Sequence, residues 1–225
     1  MIIGNGLMAS GFKKSSINYD NFIIFCSGVS NSKETDENSF NREKQLLLKT
    51  VSENSKLKLI YFSSILAGVS NERYYLHKLE MENIIKNITN NYIIFRVPQI
   101  IGRNGNKNNL FSFLKDSILY NREITIFENT KRALIDINDL VKIVIFCKDK
   151  IQSEIINVSY FEKVDTLDLV ILMSKILNKE TKIKKVNNCY SNWNIENSKI
   201  IDDFIIYSKL EINDYTNKIV KKYIN

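Results

Sequence analysis

A pair of hydroxyls, a phenol and an ammonium stand close together in this chain. Ser63 and Ser64 end an apolar run, and Tyr74 and Lys78 follow, four residues apart. On a helix, residues four apart share one face. An ammonium beside a phenol favours the phenolate and lowers the phenol's pKa. That makes Tyr74 a candidate general acid/base and Ser64 a hydrogen-bond partner for a reacting oxygen. An amphipathic helix with a partly buried tyrosine and a surface lysine has the same spacing, so the pair needs context. Part of it lies at the N-terminus, where Gly4, Gly6 and Ala9 stand at G-x-G-x-x-A spacing. In a dinucleotide-binding turn the first glycine makes the tight turn. The second lets backbone approach a pyrophosphate, and the third small residue lets helix pack on strand. The N–H groups from Gly6 through Leu7 to Met8 would then face an anion at a helix N-terminus.

The elements that must hold these groups alternate. Apolar runs at 21–26, 57–62 and 92–97 read as buried strands, the last stopped by Pro98, the single proline. Between them, 36–51 reads as a helix with Phe40, Leu47, Leu48 and Val51 at core spacing, capped by Asp36 or Asn38. Residues 73–88 read as a second helix, with an imperfect stripe of Leu76, Leu79, Ile84 and Ile88. Strands alternating with helices imply a parallel sheet covered on both faces, and continuous apolar strands fit that burial. Ligands in such sheets bind outside the carboxyl ends of the strands, which is where Ser63 and Ser64 fall. After Gly102 the chain changes character. A polar loop at 103–109 leads to a helix at 110–120, short strands at 124–127 and 133–136, and a helix at 140–148 capped by Asn138 and Asp139. A strand at 155–158, a helix at 167–177 and a mixed tail from Ser198 complete the reading.

With 225 residues the chain can bury one large core with a small appendage. Hydrophobic residues at 44% and charged residues at 25% are ordinary for a globular protein. No apolar run approaches the roughly 18 residues that span a membrane, and no basic-then-apolar leader opens the chain. Cys26, Cys147 and Cys189 are widely spaced and form no C-x-x-C pair, which predicts reduced thiols in a cytoplasm and no metal site. His77, the single histidine, excludes a histidine-rich metal site. The net charge of +7 is spread along the chain. No recognition helix or aromatic platform accompanies it, so no nucleic-acid partner is expected.

In order along the chain, these motifs resemble the extended short-chain dehydrogenase/reductases, the NAD-dependent epimerase/dehydratase group acting on nucleotide sugars. Gly4-x-Gly6-x-x-Ala9 matches its cofactor turn, and Cys26-Ser27-Gly28 the small-residue turn that lies against the cofactor. Asn41 falls where the family places an Asn in the next helix. Phe62-Ser63-Ser64 matches the catalytic strand end and Tyr74-x-x-x-Lys78 the Tyr-x-x-x-Lys pair. Residues 96–102 resemble the "R-x-x-N-x-y-G" strand end, with Gln99 in place of Asn. Residues 131–139 resemble "R-D-F-I-x-V-x-D", whose Arg, here Arg132, meets the nucleotide or its phosphates. Residues 156–158 resemble its "Y-N-V-G" strand.

The resemblance implies a Rossmann-like, doubly wound α/β sheet and an NAD or NADP cofactor. Cofactor contacts would come from Gly4, Gly6, Leu7, Met8, Cys26, Ser27, Gly28, Asn41, Ser63, Tyr74, Lys78 and Pro98. Ser64, Gln99 and Arg132 would face a nucleotide-sugar substrate, with Ser64, Tyr74 and Lys78 as the catalytic set. It also implies a homodimer paired through the helices at 36–51 and 73–88, with Leu46 and Ile85 as extra exposed apolar residues. Only nine residues separate Gly11 from Asn21, too few for a βαβ unit of roughly 30 residues. The sheet is therefore expected to lack its second and third strands, and with them the acid that binds the adenosine ribose; position 24 is Ile. The expected organisation is a truncated dinucleotide-binding core over 1–102 and a mixed region over 103–225. Residues 133–158 of that region would help complete the core, and the rest would form a small substrate subdomain. The dehydratase branch carries an acid and a base after its Ser-Thr, where this chain has Ile65 and Leu66. That leaves 4-keto-sugar reduction first and epimerisation second. The alternative is a binding or regulatory protein that keeps the fold without turnover.

Overall fold

Four consecutive apolar residues, Phe22–Phe25, are all buried, and they alternate between two cores. Phe22 and Ile24 enter one core, Ile23 and Phe25 the other, and Ile60/Phe62 and Leu59/Tyr61 divide in the same way. A strand buried on both sides needs cover on both sides, and the remaining elements supply it. The computed structural model describes residues 1–15, 18–103, 109–159, 161–187 and 193–224. Cys189 and most of the 103–109 loop lie outside them.

The central sheet joins β1 (Ile2–Ile3), β2 (Phe22–Phe25), β3 (Lys58–Ser64), β4 (Tyr92–Val97) and β8 (Glu154–Asn157), in the order β1-β2-β3-β4-β8. Every pairing is parallel. β1 thus lies at the sheet edge and pairs directly with β2, as expected for a sheet without the second and third strands. Helices α2 (Glu37–Glu53) and α3 (Arg73–Ile88) cover one face through Leu47, Val51, Met81 and Ile85. Helices α1 (Leu7–Lys13) and α5 (Ile137–Cys147) cover the other, through Phe12 and a row from Leu140 to Cys147. Gly11 makes that layer possible, since a Cβ there would lie 2.5 Å from the Ile137 side chain.

Two small sheets stand beside the main one. β5 (Gln99–Ile101) pairs in parallel with β7 (Lys131–Asp136), which pairs antiparallel with β9 (Lys163–Asp165). β6 (Ile124–Phe127) pairs in parallel with β10 (Ile183–Val186). Helices α4 (Leu110–Leu119), α6 (Thr166–Leu177) and α8 (Tyr215–Tyr223) pack around them, and α7 (Lys199–Ser208) packs on α5, where Phe204 meets Phe146. α8 is tied down by polar contacts: Lys222 Nζ and the Tyr223 hydroxyl reach Asp136 at 2.5 and 2.8 Å, and the Tyr215 hydroxyl donates to Asp139 at 2.8 Å. Among the described residues, no helix is long and apolar enough to cross a membrane.

Three local expectations need correction. α5 starts at Ile137 and not at Leu140. Asp136 caps it, accepting from the Asn138 N–H at 2.8 Å, while Ile137 is drawn into the core. α3 faces the core with another stripe: His77, Lys78, Met81, Glu82 and Ile85 are buried, while Leu76 and Ile88 lie on the surface. Ile85, read as an exposed residue on a dimer face, is fully buried among Leu47, Met81 and Ile94.

Candidate active site

Because the main sheet is parallel, the turns after β1, β2, β3 and β4 open on one edge. The turn after β1 holds Gly4 at φ +121°, where a Cβ would come 2.7 Å from the Cys26 carbonyl oxygen. Only glycine lets the first two turns approach so closely. Gly6 is different: a Cβ there would meet nothing within 4 Å, so this side of the turn is open. Ala9 is fully buried, as the third small position requires, and Leu7 and Met8 are half-buried. Cys26, Ser27 and Gly28 form the second turn, all half-buried. A Cβ on Gly28 would lie 2.8 Å from Lys78 Nζ and 2.9 Å from Glu43 Oε1.

Lys78 is buried, with its ammonium closed into a polar cage. It donates to Glu43 Oε1 at 2.9 Å and to the Tyr61 hydroxyl at 3.2 Å. Glu43 also accepts from the Tyr61 hydroxyl at 2.6 Å and the Val29 N–H at 2.6 Å, and its Oε2 meets His77 Nε2 at 3.0 Å. Burial alone would raise the Glu43 carboxyl, but Lys78, His77, Tyr61 and Val29 together hold it well below the usual carboxylate range. Burial works to lower Lys78, and Glu43, together with Tyr74 and Glu82, more than reverses it, leaving the ammonium raised.

Tyr74 is half-buried one helical turn before Lys78, whose Nζ lies 5.7 Å from its ring centre. Its hydroxyl has no hydrogen-bond partner among the described residues. The phenol is raised above its usual value, first by burial, while Lys78 pulls it down and Glu43 pushes it up. The depression expected from Lys78 alone is therefore outweighed. Ser64 ends β3 half-buried, accepting a long 3.3 Å contact from the Leu66 N–H. Ser63 faces the other way: its hydroxyl donates to Glu82 Oε1 at 2.6 Å. Glu82 is fully buried and takes a bidentate pair from Arg96 at 2.8 and 2.6 Å, stitching α3 to β3 and β4.

On the opposite side of the opening, Pro98 is buried between β4 and β5, and Gln99 is half-buried. Arg132 sits in β7 with its Nε buried and without a partner. Its charge reaches α3: the Tyr75 phenol, pushed up to about 12 mainly by burial, is pulled back in part by Arg132. Asn41 does not join the group. It is exposed on α2, because two helical positions turn it roughly 200° away from Glu43.

Glu43 is the residue that sequence reasoning missed. It stands on the same stripe as Phe40, Leu47 and Val51, all buried. An acid at a core position of an otherwise apolar stripe demands a buried cation, and that signal was available. The same holds for Glu82, between Met81 and Ile85 on α3. Among the described residues, no cluster of His, Cys, Asp and Glu could hold a metal ion.

Comparison with known proteins finds the same fold. The dTDP-glucose 4,6-dehydratase from Bacillus anthracis, in complex with NAD, superposes with a TM-score of 0.71 at 14% identity, covering 91% of this chain and 71% of that one. The UDP-glucuronic acid 4-epimerase from Bacillus cereus, in complex with UDP-glucuronic acid and NAD, gives 0.69 at 20% identity, over 91% and 75%. RMD from Pseudomonas aeruginosa, complexed with NADPH, gives 0.73 at 12% identity, over 98% and 97%. At such identities the likeness is one of fold. No curated protein matches the chain. The sequence model of one family does match, over residues 42–159, just over half of the chain and most of the strands and helices that build the opening. The chain belongs to the NAD dependent epimerase/dehydratase family.

Proposed function

We propose that this protein is an NAD(P)-dependent oxidoreductase or epimerase of a nucleotide-activated sugar, with reduction of a 4-keto sugar as its preferred reaction. The observation that carries this reading is the meeting of Tyr74 and Lys78 with the Gly28 turn at the carboxyl edge of a parallel sheet. The residues present fit a dinucleotide. Gly4 brings two turns together, Gly6 leaves its outer side open, and Gly28 leaves room for the Lys78 ammonium and the Glu43 carboxylate. The Gly4–Gly6 turn would receive the pyrophosphate, and Lys78, with Cys26, Ser27 and Gly28, the nicotinamide end. When bound, a nicotinamide supplies or accepts the hydride. The chain's share is position and protons. Tyr74 holds a proton on a hydroxyl with no partner among the described residues, ready for a sugar oxygen. Ser64 orients that oxygen, and Lys78, with two of its three donors engaged, keeps one for the cofactor ribose. The unpartnered Arg132 Nε and nearby Gln99 suit the nucleotide's phosphates.

Nicotinamide fluorescence on adding NADH or NADPH tests cofactor binding. A panel of 4-keto nucleotide sugars with both cofactors tests turnover. Binding with no turnover across the panel, or no binding at all, would sink the enzyme reading and favour a binding or regulatory protein that keeps the fold.

A further inference from the structure

Glu43 is fully buried, and its carboxylate is hydrogen-bonded from four places: the turn after β2, β3 and two positions on α3. Both oxygens are occupied. Oε1 takes Lys78 and Tyr61, and Oε2 takes the Val29 N–H and His77. His77 is fixed in turn by Phe40, whose ring centre is 4.6 Å away. Lys78 is equally constrained, with two N–H groups committed and the Gly28 turn closing on it. We propose that Glu43 is a positioning residue: with Tyr61 and His77 it clamps the Lys78 ammonium so that a single N–H is left to face the opening, and its charge offsets part of that of Lys78, whose ammonium lies beside the Tyr74 ring. Nothing in the Ser/Tyr/Lys set assigns a carboxylate to this place.

The charge balance at Tyr74 follows from its neighbours. Lys78 and Tyr75 share its helix, Glu43 reaches it from α2, and Tyr61 flanks the cage from β3. Arg96 and Glu82 are closed on each other, and Arg132 acts on Tyr75. An ammonium alone would favour a phenolate; burial of the phenol opposes this first, and Glu43 offsets part of the pull of Lys78. Tyr74 therefore stays a phenol at neutral pH, the form that gives a proton. Applied to the proposed reading, on which this step rests, a proton donor suits reduction of a ketone better than oxidation of an alcohol.

The test uses the cofactor-free protein, so it does not depend on turnover. Tyrosinate absorbance is followed with rising pH, and the part due to Tyr74 is the difference between each protein and the same protein carrying Tyr74→Phe. Glu43→Gln keeps the length and an acceptor but removes the charge, and the Tyr74 midpoint should fall by about one pH unit or more. Glu43→Gln with Lys78→Met removes both charges and should bring the midpoint back to within about half a unit of wild type. If Glu43→Gln fails to fold by circular dichroism, Lys78→Met alone reads the same coupling from the other side, and the midpoint should rise. A merely structural Glu43 would lower the melting temperature of each folded variant and leave Tyr74 unmoved. An unchanged midpoint in Glu43→Gln, or in Lys78→Met where that variant is needed, overturns the proposal even if the enzyme turns over sugar nucleotides. A shift without turnover supports the clamp and sinks only the proposed reaction.

Discussion

At the scale of single residues, the Tyr74 hydroxyl carries the sharpest prediction. Among the described residues it has no hydrogen-bond partner, and it lies one turn from Lys78, so Tyr74→Phe should cut turnover by about 10²–10⁴-fold while nicotinamide binding by fluorescence stays near wild type. Activity within threefold of wild type would remove Tyr74 from the proposed mechanism. Glu43 predicts a pH dependence of stability. A carboxyl whose folded value is depressed adds stability above its unfolded value, here 4.5, and loses that contribution as pH falls toward the folded value. Wild type should therefore lose stability below about pH 4.5 more steeply than the variant carrying Glu43→Gln and Lys78→Met. Superimposable acid limbs in chemical denaturation would contradict this. The thiols behave in the opposite sense. Burial pushes Cys26 and Cys147 up to about 12, against weaker pulls from Lys13 and Lys150. Thiolate is the reactive form, so peptide mapping after alkylation at pH 8 should find both unmodified until the protein is unfolded. Rapid labelling of Cys26 in folded protein would mean that its turn opens.

At the scale of elements, the proposed homodimer turns on the outer face of α2 and α3. A groove of about 560 Å³ runs between them, lined by Leu48, Val51, Ile88 and polar neighbours such as Gln45 and Lys49. Leu76 and Ile88 are 44% and 39% exposed on the same helix. With Ile85 assigned to the core, Leu48, Leu76 and Ile88 become the residues that a two-fold pairing would cover. Light scattering at micromolar concentration should give twice the chain mass, and Ile88→Lys should shift it toward monomer. A monomeric wild type would reject the pairing. These helices also show what the sequence could and could not reveal. The bounds of α3 and of β4 were legible to the residue, because Pro98 and strong apolar runs mark them. The buried face of α3 was not, because it carries Lys78 and Glu82, and an apolar stripe cannot reveal a core built partly from ion pairs. β5, β9 and β10 escaped for another reason. They are three or four residues long, and two of the four residues in β10 are lysines, so pairing partners distant in sequence decide them. The candidates Ser64, Tyr74 and Lys78 were named from spacing read together with the glycine turn and the strand end, whereas the acid at the core position of α2 announced a buried cation without saying that Lys78 of α3 would supply it.

At the scale of the whole molecule, the sheet order decides the choice between NADH and NADPH. The discriminating contact in a full dinucleotide fold comes from the end of the second strand, where an acid binds the ribose 2′-hydroxyl or an arginine accepts the 2′-phosphate. Here β1 is the edge of the sheet, and its neighbour β2 leads into the Cys26–Gly28 turn against Lys78, at the nicotinamide end of the proposed site. Among the described residues, no acid stands beside the Gly4 turn. The charge nearest to it is Lys13, whose ammonium reaches the Gly4 carbonyl at 3.3 Å and Asn5 Oδ1 at 3.4 Å. That lysine is exposed at the end of α1, and exposed charge contacts are typically worth less than about 1 kcal/mol. The two cofactors should therefore bind with similar affinity, tilted by a few-fold at most toward NADPH. Lys13→Gln should remove the tilt, and so should added salt, which screens an exposed pair. Dissociation constants for both cofactors at one fixed ionic strength, for wild type and Lys13→Gln, measure this directly. A preference of more than about 100-fold, roughly 2.7 kcal/mol, would show that another segment or a partner chain builds an adenosine pocket that β1 and β2 do not.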